Sequence, residues 1–138
     1  HATIPHHPNL KVVFTPAQHF SGRGLKDRNL ALWGGLSVIT SAQEHFFFAG
    51  DTGYSSHFAQ IKERLGAPRL ALLPIGAYEP RSVMRAMHMD PSEAVQAHLD
   101  LSAKQSLAIH YRTFQLTDEA IRNVDEVVKA KEQELMAV

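Results

Sequence analysis

Apolar residues fall into short runs separated by polar turns, and two stretches of the chain also show helical spacing. The apolar runs are typical of β-strands and cover residues 10–14, 32–40, 45–49, 70–75 and 106–109. The continuous run over 70–75 predicts a strand buried on both faces. Phe58, Ile61 and Leu65 predict a helix over residues 55–65, which Gly66 ends. A second amphipathic pattern predicts a helix from residue 117 to the C-terminus.

The segment Asp90-Pro91-Ser92-Glu93 carries the signals of a helix start. Asp90 suits the N-cap, Pro91 the first helical position, and Glu93 the third position, where it completes a capping box. We therefore predict a helix over residues 91–101. Strands that alternate with helices predict a layered α/β domain. Residues 78–87 predict a loop that packs on this domain, or that lines an entrance for a lipid-like, anionic substrate.

Composition narrows the classes of function. The 138 residues suffice for one domain, and 14 basic residues balance 14 acidic ones, which argues against a nucleic-acid binder. No cysteine is present, so the sequence offers no disulfide, thiolate ligand or cysteine nucleophile. No signal peptide and no membrane-spanning run is visible, which favours a cytoplasmic or peripheral membrane location. Nine histidines are the first indication of a metal.

Three polar residues stand just past predicted strands: His19, Asp51 and His110. Ligands gather at such strand ends in layered α/β folds. Imidazole nitrogens and a carboxylate suit zinc, iron or manganese. Each residue also has an ordinary interpretation, because a single histidine is more often structural and an aspartate between glycines more often belongs to a turn. His88, just before the capped helix, is by itself more typical of a residue beside a site than of a ligand.

Six segments resemble those of the metallo-β-lactamase-fold hydrolases, in the same order and spacing. The resemblance is strongest to the branch of N-acyl-phosphatidylethanolamine phospholipase D and its bacterial relatives, and it covers residues 12–117. The segments are TPAQHFSGRGLKDRN, LWGG, FFFAGDTGY, PIGAYEPR, HMDPSEA and AIHYRTF.

This resemblance implies a site with two zinc ions, or other divalent metals, that activate a shared water for attack on a phosphodiester. His19 would bind the first zinc, Asp51 would bridge the two, and His110 would complete the second site. His88 would contact the substrate or the transition state as a catalytic residue. The implied substrate is a small-molecule or lipid phosphodiester, with peripheral membrane contact and no nucleic-acid partner. Tyr78, Arg81 and Met84 would lie near the entrance.

The sequence departs from the family pattern at its start. The upstream H-x-H-x-D-H segment, which the resemblance implies as the source of the other ligands, does not occur. Residues 1–138 therefore predict one domain that is the C-terminal half of a four-layer αββα metallo-β-lactamase fold, with an exposed apolar face. Two alternatives stay open. One is an inactive metal-binding fragment that self-associates as a homo-oligomer, and the other is a structural α/β domain without metal.

Overall fold

The computed structural model describes residues 2–4 and 7–111, and six strands in this part of the chain form one sheet in sequence order. The strands are β1 Ala2–Ile4, β2 His7–Thr15, β3 Gly35–Thr40, β4 His45–Phe48, β5 Leu70–Pro74 and β6 Gln105–Ile109. The helices are α1 His57–Leu65, α2 Arg81–Met84 and α3 Pro91–Leu101. The predicted C-terminal helix lies outside the described residues.

The five predicted strands are confirmed, with shifted ends. β2 begins earlier than predicted because its first residues pair with β1, a strand that the sequence pattern did not indicate. β3 begins at Gly35 rather than at residue 32. A side chain at Gly35 would come within 2.6 Å of the Phe48 carbonyl oxygen, so the backbone of the neighbouring strand approaches closely at this point.

The predicted start of α3 is confirmed in detail. The Glu93 backbone N–H donates to the Asp90 carboxylate at 2.8 Å, and the Asp90 backbone N–H donates to the Glu93 carboxylate at 3.2 Å. Two otherwise unpaired donors of the first turn are thereby satisfied. The predicted loop over 78–87 is partly wrong, because Arg81–Met84 form the short helix α2.

One face of the sheet packs against α1 and α3 and forms the core. Phe47, Ala71 and Leu73 point to this face and are almost fully buried. Phe58 and Ile61 of α1 meet them there, as do Ala97 and Leu101 of α3. This face of the sheet is therefore covered by the two helices.

The opposite face carries an apolar row that the described residues leave uncovered. Phe14, Leu36, Phe48, Leu72 and Leu107 are register partners across five strands, and all but Leu72 are exposed. Leu70 and Leu72 of β5 are half-buried, so the predicted burial of β5 on both faces is incomplete within the described part of the chain, whereas the predicted exposed apolar face is confirmed. No helix in residues 2–4 and 7–111 is long and apolar enough to cross a membrane.

Candidate metal centre

Strand direction brings the predicted site residues to one edge of the sheet. β2 and β4 are each antiparallel to β3, and β4, β5 and β6 are parallel, so β2, β4, β5 and β6 all run in the same direction. Their carboxyl ends meet at a single edge. His19 follows β2, Asp51 follows β4, His88 lies in the connection after β5, and His110 follows β6 directly.

Asp51 and His110 are in direct contact. His110 Nε2 lies 3.1 Å from Asp51 Oδ1. His110 adopts a left-handed backbone conformation with φ 58°, which turns its side chain as the strand ends. Gly76 lies against it, since a Cβ at this position would overlap the His110 carbonyl oxygen. A glycine is therefore required for the approach of these two backbone segments.

His88 joins this pair. Its ring stacks on the His110 ring, with centroids 5.6 Å apart and an interplanar angle of 8°. One ligand atom each of Asp51, His88 and His110 lie within 4.8 Å of one another. His88 is buried, whereas Asp51 and His110 are exposed. The group thus has one buried member and two that face outward.

His19 lies at the rim of the group. Its ring meets the His88 ring edge-on, with centroids 5.1 Å apart. Its Nδ1 is 2.9 Å from the Phe20 carbonyl oxygen. A carbonyl oxygen can only accept, so Nδ1 carries the proton and Nε2 of the neutral ring carries a lone pair. This tautomer leaves Nε2 available as a ligand atom.

The electrostatics of His88 favour its neutral form. Burial lowers its pKa, and the neighbouring His19 and His110 act in the same direction, while the Asp51 carboxylate opposes them. His88 Nδ1 is buried and finds no hydrogen-bond partner among the described residues. A buried nitrogen without a partner is costly, and a nearby carboxylate with further imidazoles is the donor set of zinc and similar ions. The residues present therefore fit a divalent metal.

Arg81, which the resemblance placed near the entrance, contacts the start of α3 and the His88 segment. Its guanidinium lies 2.8 Å from the Glu93 carboxylate and 3.6 Å from that of Asp90, and donates to the His88 carbonyl oxygen at 3.1 Å. It therefore ties the start of α3 to the His88 segment. Tyr78 is buried, and Met84 is half-buried.

Sequence reasoning missed a hydrogen-bond network beside the site. His57, which carried no signal in the sequence, is buried at the start of α1, with Nδ1 2.6 Å from Ser55 Oγ. Its Nε2 lies 3.5 Å from the hydroxyl of Thr52, the residue after Asp51. Burial lowers the pKa of His57 to about 4. In the sequence, this network was signalled only by two hydroxyl residues, Thr52 and Ser55, that stand shortly before His57.

Comparison with known proteins identifies the family. Residues 1–111 match the Beta-lactamase superfamily domain. The chain is 47% identical over 100 residues to N-acyl-phosphatidylethanolamine-hydrolyzing phospholipase D 1 of Caenorhabditis elegans, covering 72% of this chain and 28% of that protein. It is 42% identical over 107 residues to the mitochondrial N-acyl-phosphatidylethanolamine-hydrolyzing phospholipase D of Saccharomyces cerevisiae, covering 76% of this chain and 23% of that protein.

A solved structure extends the likeness to the fold. Igni18, a metallo hydrolase from Ignicoccus hospitalis, superposes with a TM-score of 0.65 and 28% identity. The match covers 91% of this chain and 49% of Igni18. The chain thus spans about a quarter of the length of these two relatives and about half of the Igni18 chain. By its sequence match and its sheet, this chain belongs to the metallo-β-lactamase superfamily.

Proposed function

We propose that this chain forms part of the active site of a metal-dependent hydrolase that cleaves a phosphodiester, specifically that of a phospholipid. The observation that carries the proposal is the convergence of Asp51, His88 and His110, whose ligand atoms lie within 4.8 Å of one another. The substrate class is supported by the names of the two phospholipase D relatives.

The metal-holding residues of the proposal are His19, Asp51 and His110. Neutral imidazole and carboxylate ligands favour zinc, with two ions in a complete site, and also accept other divalent metals. When bound, such ions polarise a phosphoryl oxygen and lower the pKa of water so that it attacks phosphorus. A catalytic zinc takes about three protein ligands, so the rest of the complete fold supplies further ones.

The chain's own residues orient this chemistry. Asp51 contacts His110 and lies close to His88, and its two carboxylate oxygens would be available to hold metal. The neutral His88 ring has an N–H that donates a hydrogen bond to the charge that develops on the phosphoryl oxygen. Such a preorganised donor acts more strongly in a buried site than in water, because no solvent has to reorganise around the charge.

Elemental analysis and hydrolysis by the intact protein test this proposal. We expect bound zinc or a similar ion, and cleavage of N-acyl-phosphatidylethanolamine. Asp51→Ala should lose both, since it removes the shared carboxylate. Ser37→Ala is the matched control, because Ser37 is a fully buried polar residue inside β3 and does not belong to the group of Asp51, His88 and His110. Unchanged metal content in Asp51→Ala would refute the proposed site, and metal binding without hydrolysis would instead indicate an inactive metal-binding protein.

The loop after His19 supports peripheral contact with a lipid surface. Leu25, Leu30 and Leu32 are almost completely exposed on it. The Asp27 carboxylate accepts from the backbone N–H of Arg23 at 3.0 Å and of Gly24 at 2.7 Å, so the loop has a defined form. Its charged residues are three cations and one anion. Exposed leucines beside cations suit the interface of an anionic membrane.

Vesicle sedimentation tests this contact. We expect the intact protein to bind phosphatidylserine-containing vesicles more strongly than pure phosphatidylcholine vesicles. Replacing Leu25, Leu30 and Leu32 with serine should weaken the binding, whereas Leu99→Ser on α3 should not, although Leu99 is also exposed. Equal binding of the triple variant and the wild type would exclude this loop as the contact.

A further inference from the structure

Thr52 is the residue at which the segments of the candidate metal centre meet. It follows Asp51 directly and is fully buried. Its hydroxyl accepts a hydrogen bond from the Gln18 backbone N–H at 2.8 Å, and Gln18 precedes His19. The same hydroxyl donates to the Gly53 carbonyl oxygen at 2.8 Å. One side chain therefore connects the Asp51 turn to the His19 segment.

The main chain around Thr52 extends this connection. The Thr52 carbonyl oxygen accepts from the backbone N–H of Met89, the residue after His88, at 3.1 Å. The Gly53 N–H donates to the Gln18 carbonyl oxygen at 2.9 Å. The Gln18 side chain in turn donates to the Ala86 carbonyl oxygen at 2.9 Å. Segments more than thirty residues apart in sequence are thereby held together.

His57 completes the hydrogen bonds of the Thr52 hydroxyl. A hydroxyl has one donor and two acceptor positions. The donor goes to Gly53, one acceptor position takes the Gln18 N–H, and His57 Nε2 faces the other at 3.5 Å. Because the hydroxyl proton goes to Gly53, Nε2 has to be the donor in this contact, and Nδ1, 2.6 Å from the Ser55 hydroxyl, then accepts from Ser55. Every bonding position of the hydroxyl is then used.

Close packing around Gly53 supports the same conclusion. A Cβ at Gly53 would come within 2.8 Å of the Gln18 side-chain nitrogen and 2.9 Å of the Ala86 carbonyl oxygen. The three segments thus approach each other as closely as their backbones allow. Buried polar networks of this kind fix side-chain orientation when all their members are paired.

We infer that Thr52 is a positioning residue of the metal centre: its hydroxyl holds the segment that carries His19 against the Asp51 turn, and its carbonyl group holds the His88 segment. This inference rests on the proposed function. Residues that support metal ligands from behind typically change metal affinity about 10- to 100-fold when they are replaced.

Metal affinity of the intact protein, measured by competition between zinc and a chelator, tests the role of Thr52. Thr52→Val keeps the shape but removes the hydroxyl, and should weaken zinc binding about 10- to 100-fold. Thr52→Ser keeps the hydroxyl and should restore most of the affinity. Ser37→Ala is the control, because it removes another fully buried hydroxyl that bonds a histidine outside the group of site residues. It should lower thermal stability without changing zinc affinity.

Three results would overturn the inference. Thr52→Val would bind zinc like the wild type, Thr52→Ser would fail to restore binding, or Ser37→Ala would weaken binding as much as Thr52→Val. If Thr52→Val does not fold, His57→Leu replaces it, with an expected loss of about threefold or more for one hydrogen bond to the hydroxyl. Asp51→Ala, measured in parallel, separates the two proposals. Lost binding in Asp51→Ala but not in Thr52→Val refutes only the role of Thr52, whereas no loss in either refutes both.

Discussion

Two buried histidines at opposite edges of the sheet use their nitrogens in different ways. His45, at the start of β4, places Nδ1 3.0 Å from the Gly66 carbonyl oxygen and Nε2 2.8 Å from Ser37 Oγ. His88 lies at the other edge, close to Asp51, and its buried Nδ1 has no partner among the described residues. Burial lowers the pKa of both.

The difference separates a structural histidine from a candidate functional one. His45 has both nitrogens hydrogen-bonded within the protein, and these bonds serve to stabilise the fold. His88 stands among His19, Asp51 and His110 with a nitrogen that has no partner in the described part of the chain, and this arrangement is expected where a ligand completes the bonding. Burial alone does not distinguish the two residues, whereas the partners of each nitrogen do.

The largest expected effect is a loss of folding stability at low pH. It comes from the histidines that burial keeps neutral, and above all from His57. Its pKa of about 4 lies below the ordinary 6.5, so between these values the unfolded chain binds more protons than the folded one. Stability is then fully present above about pH 6.5 and lost as the pH falls toward 4, by roughly 3 kcal/mol. Urea unfolding across this range should show the loss, and His57→Gln should flatten it. An equally steep loss in His57→Gln would assign it to other groups.

The second-largest effect is expected from Gly76→Ala, which should disturb the edge of the sheet that carries the candidate metal centre. The added methyl group overlaps the His110 carbonyl oxygen, so the two backbone segments must separate, and the contact of His110 with Asp51 should change. We expect about a 10- to 100-fold loss of zinc affinity, with a destabilisation of roughly 1–3 kcal/mol. Gly24→Ala is the control, because its nearest contact, Asp27 Oδ1 at 3.7 Å, is ordinary. Wild-type affinity in Gly76→Ala would show that His110 tolerates the shift.

Ser37→Ala tests the structural role of His45 separately from the metal centre. It removes the hydroxyl that donates to His45 Nε2, and leaves a buried acceptor unpaired at a cost of about 2 kcal/mol. Denaturant unfolding should report this loss, while zinc affinity stays at the wild-type value. A change in zinc affinity would mean that the two edges of the sheet are coupled, and the contrast between the two histidines would fail.

The smallest expected effect is a gain in stability rather than a loss. His88→Leu removes a buried nitrogen that has no partner within residues 2–4 and 7–111, and should stabilise the metal-free protein by up to about 1 kcal/mol. His45→Leu, the matched variant, should destabilise it, because the Gly66 carbonyl and the Ser37 hydroxyl both lose their partner. Unfolding in the presence of a chelator compares the two. A destabilised His88→Leu would show that His88, too, is held for structure.

Much of the fold could be predicted from local patterns. The apolar runs indicated five of the six strands, and Asp90 with Glu93 indicated the start of α3, because strand periodicity and capping depend on residues that are neighbours in sequence. β1, which pairs with β2, was missed because its own residues show no strong alternation of apolar and polar positions. α2 was missed because four residues are too few for a periodic pattern.

The sequence by itself determined which residues stand at the strand ends, and so indicated His19, Asp51 and His110. Only the tertiary structure decided that His88 joins Asp51 and His110, that Arg81 is bound to Glu93, and that Thr52 connects the segments around them. These are contacts between residues far apart in the chain. They arise because four strands run in the same direction and bring their ends to one edge, a property of the assembled sheet that no local pattern contains.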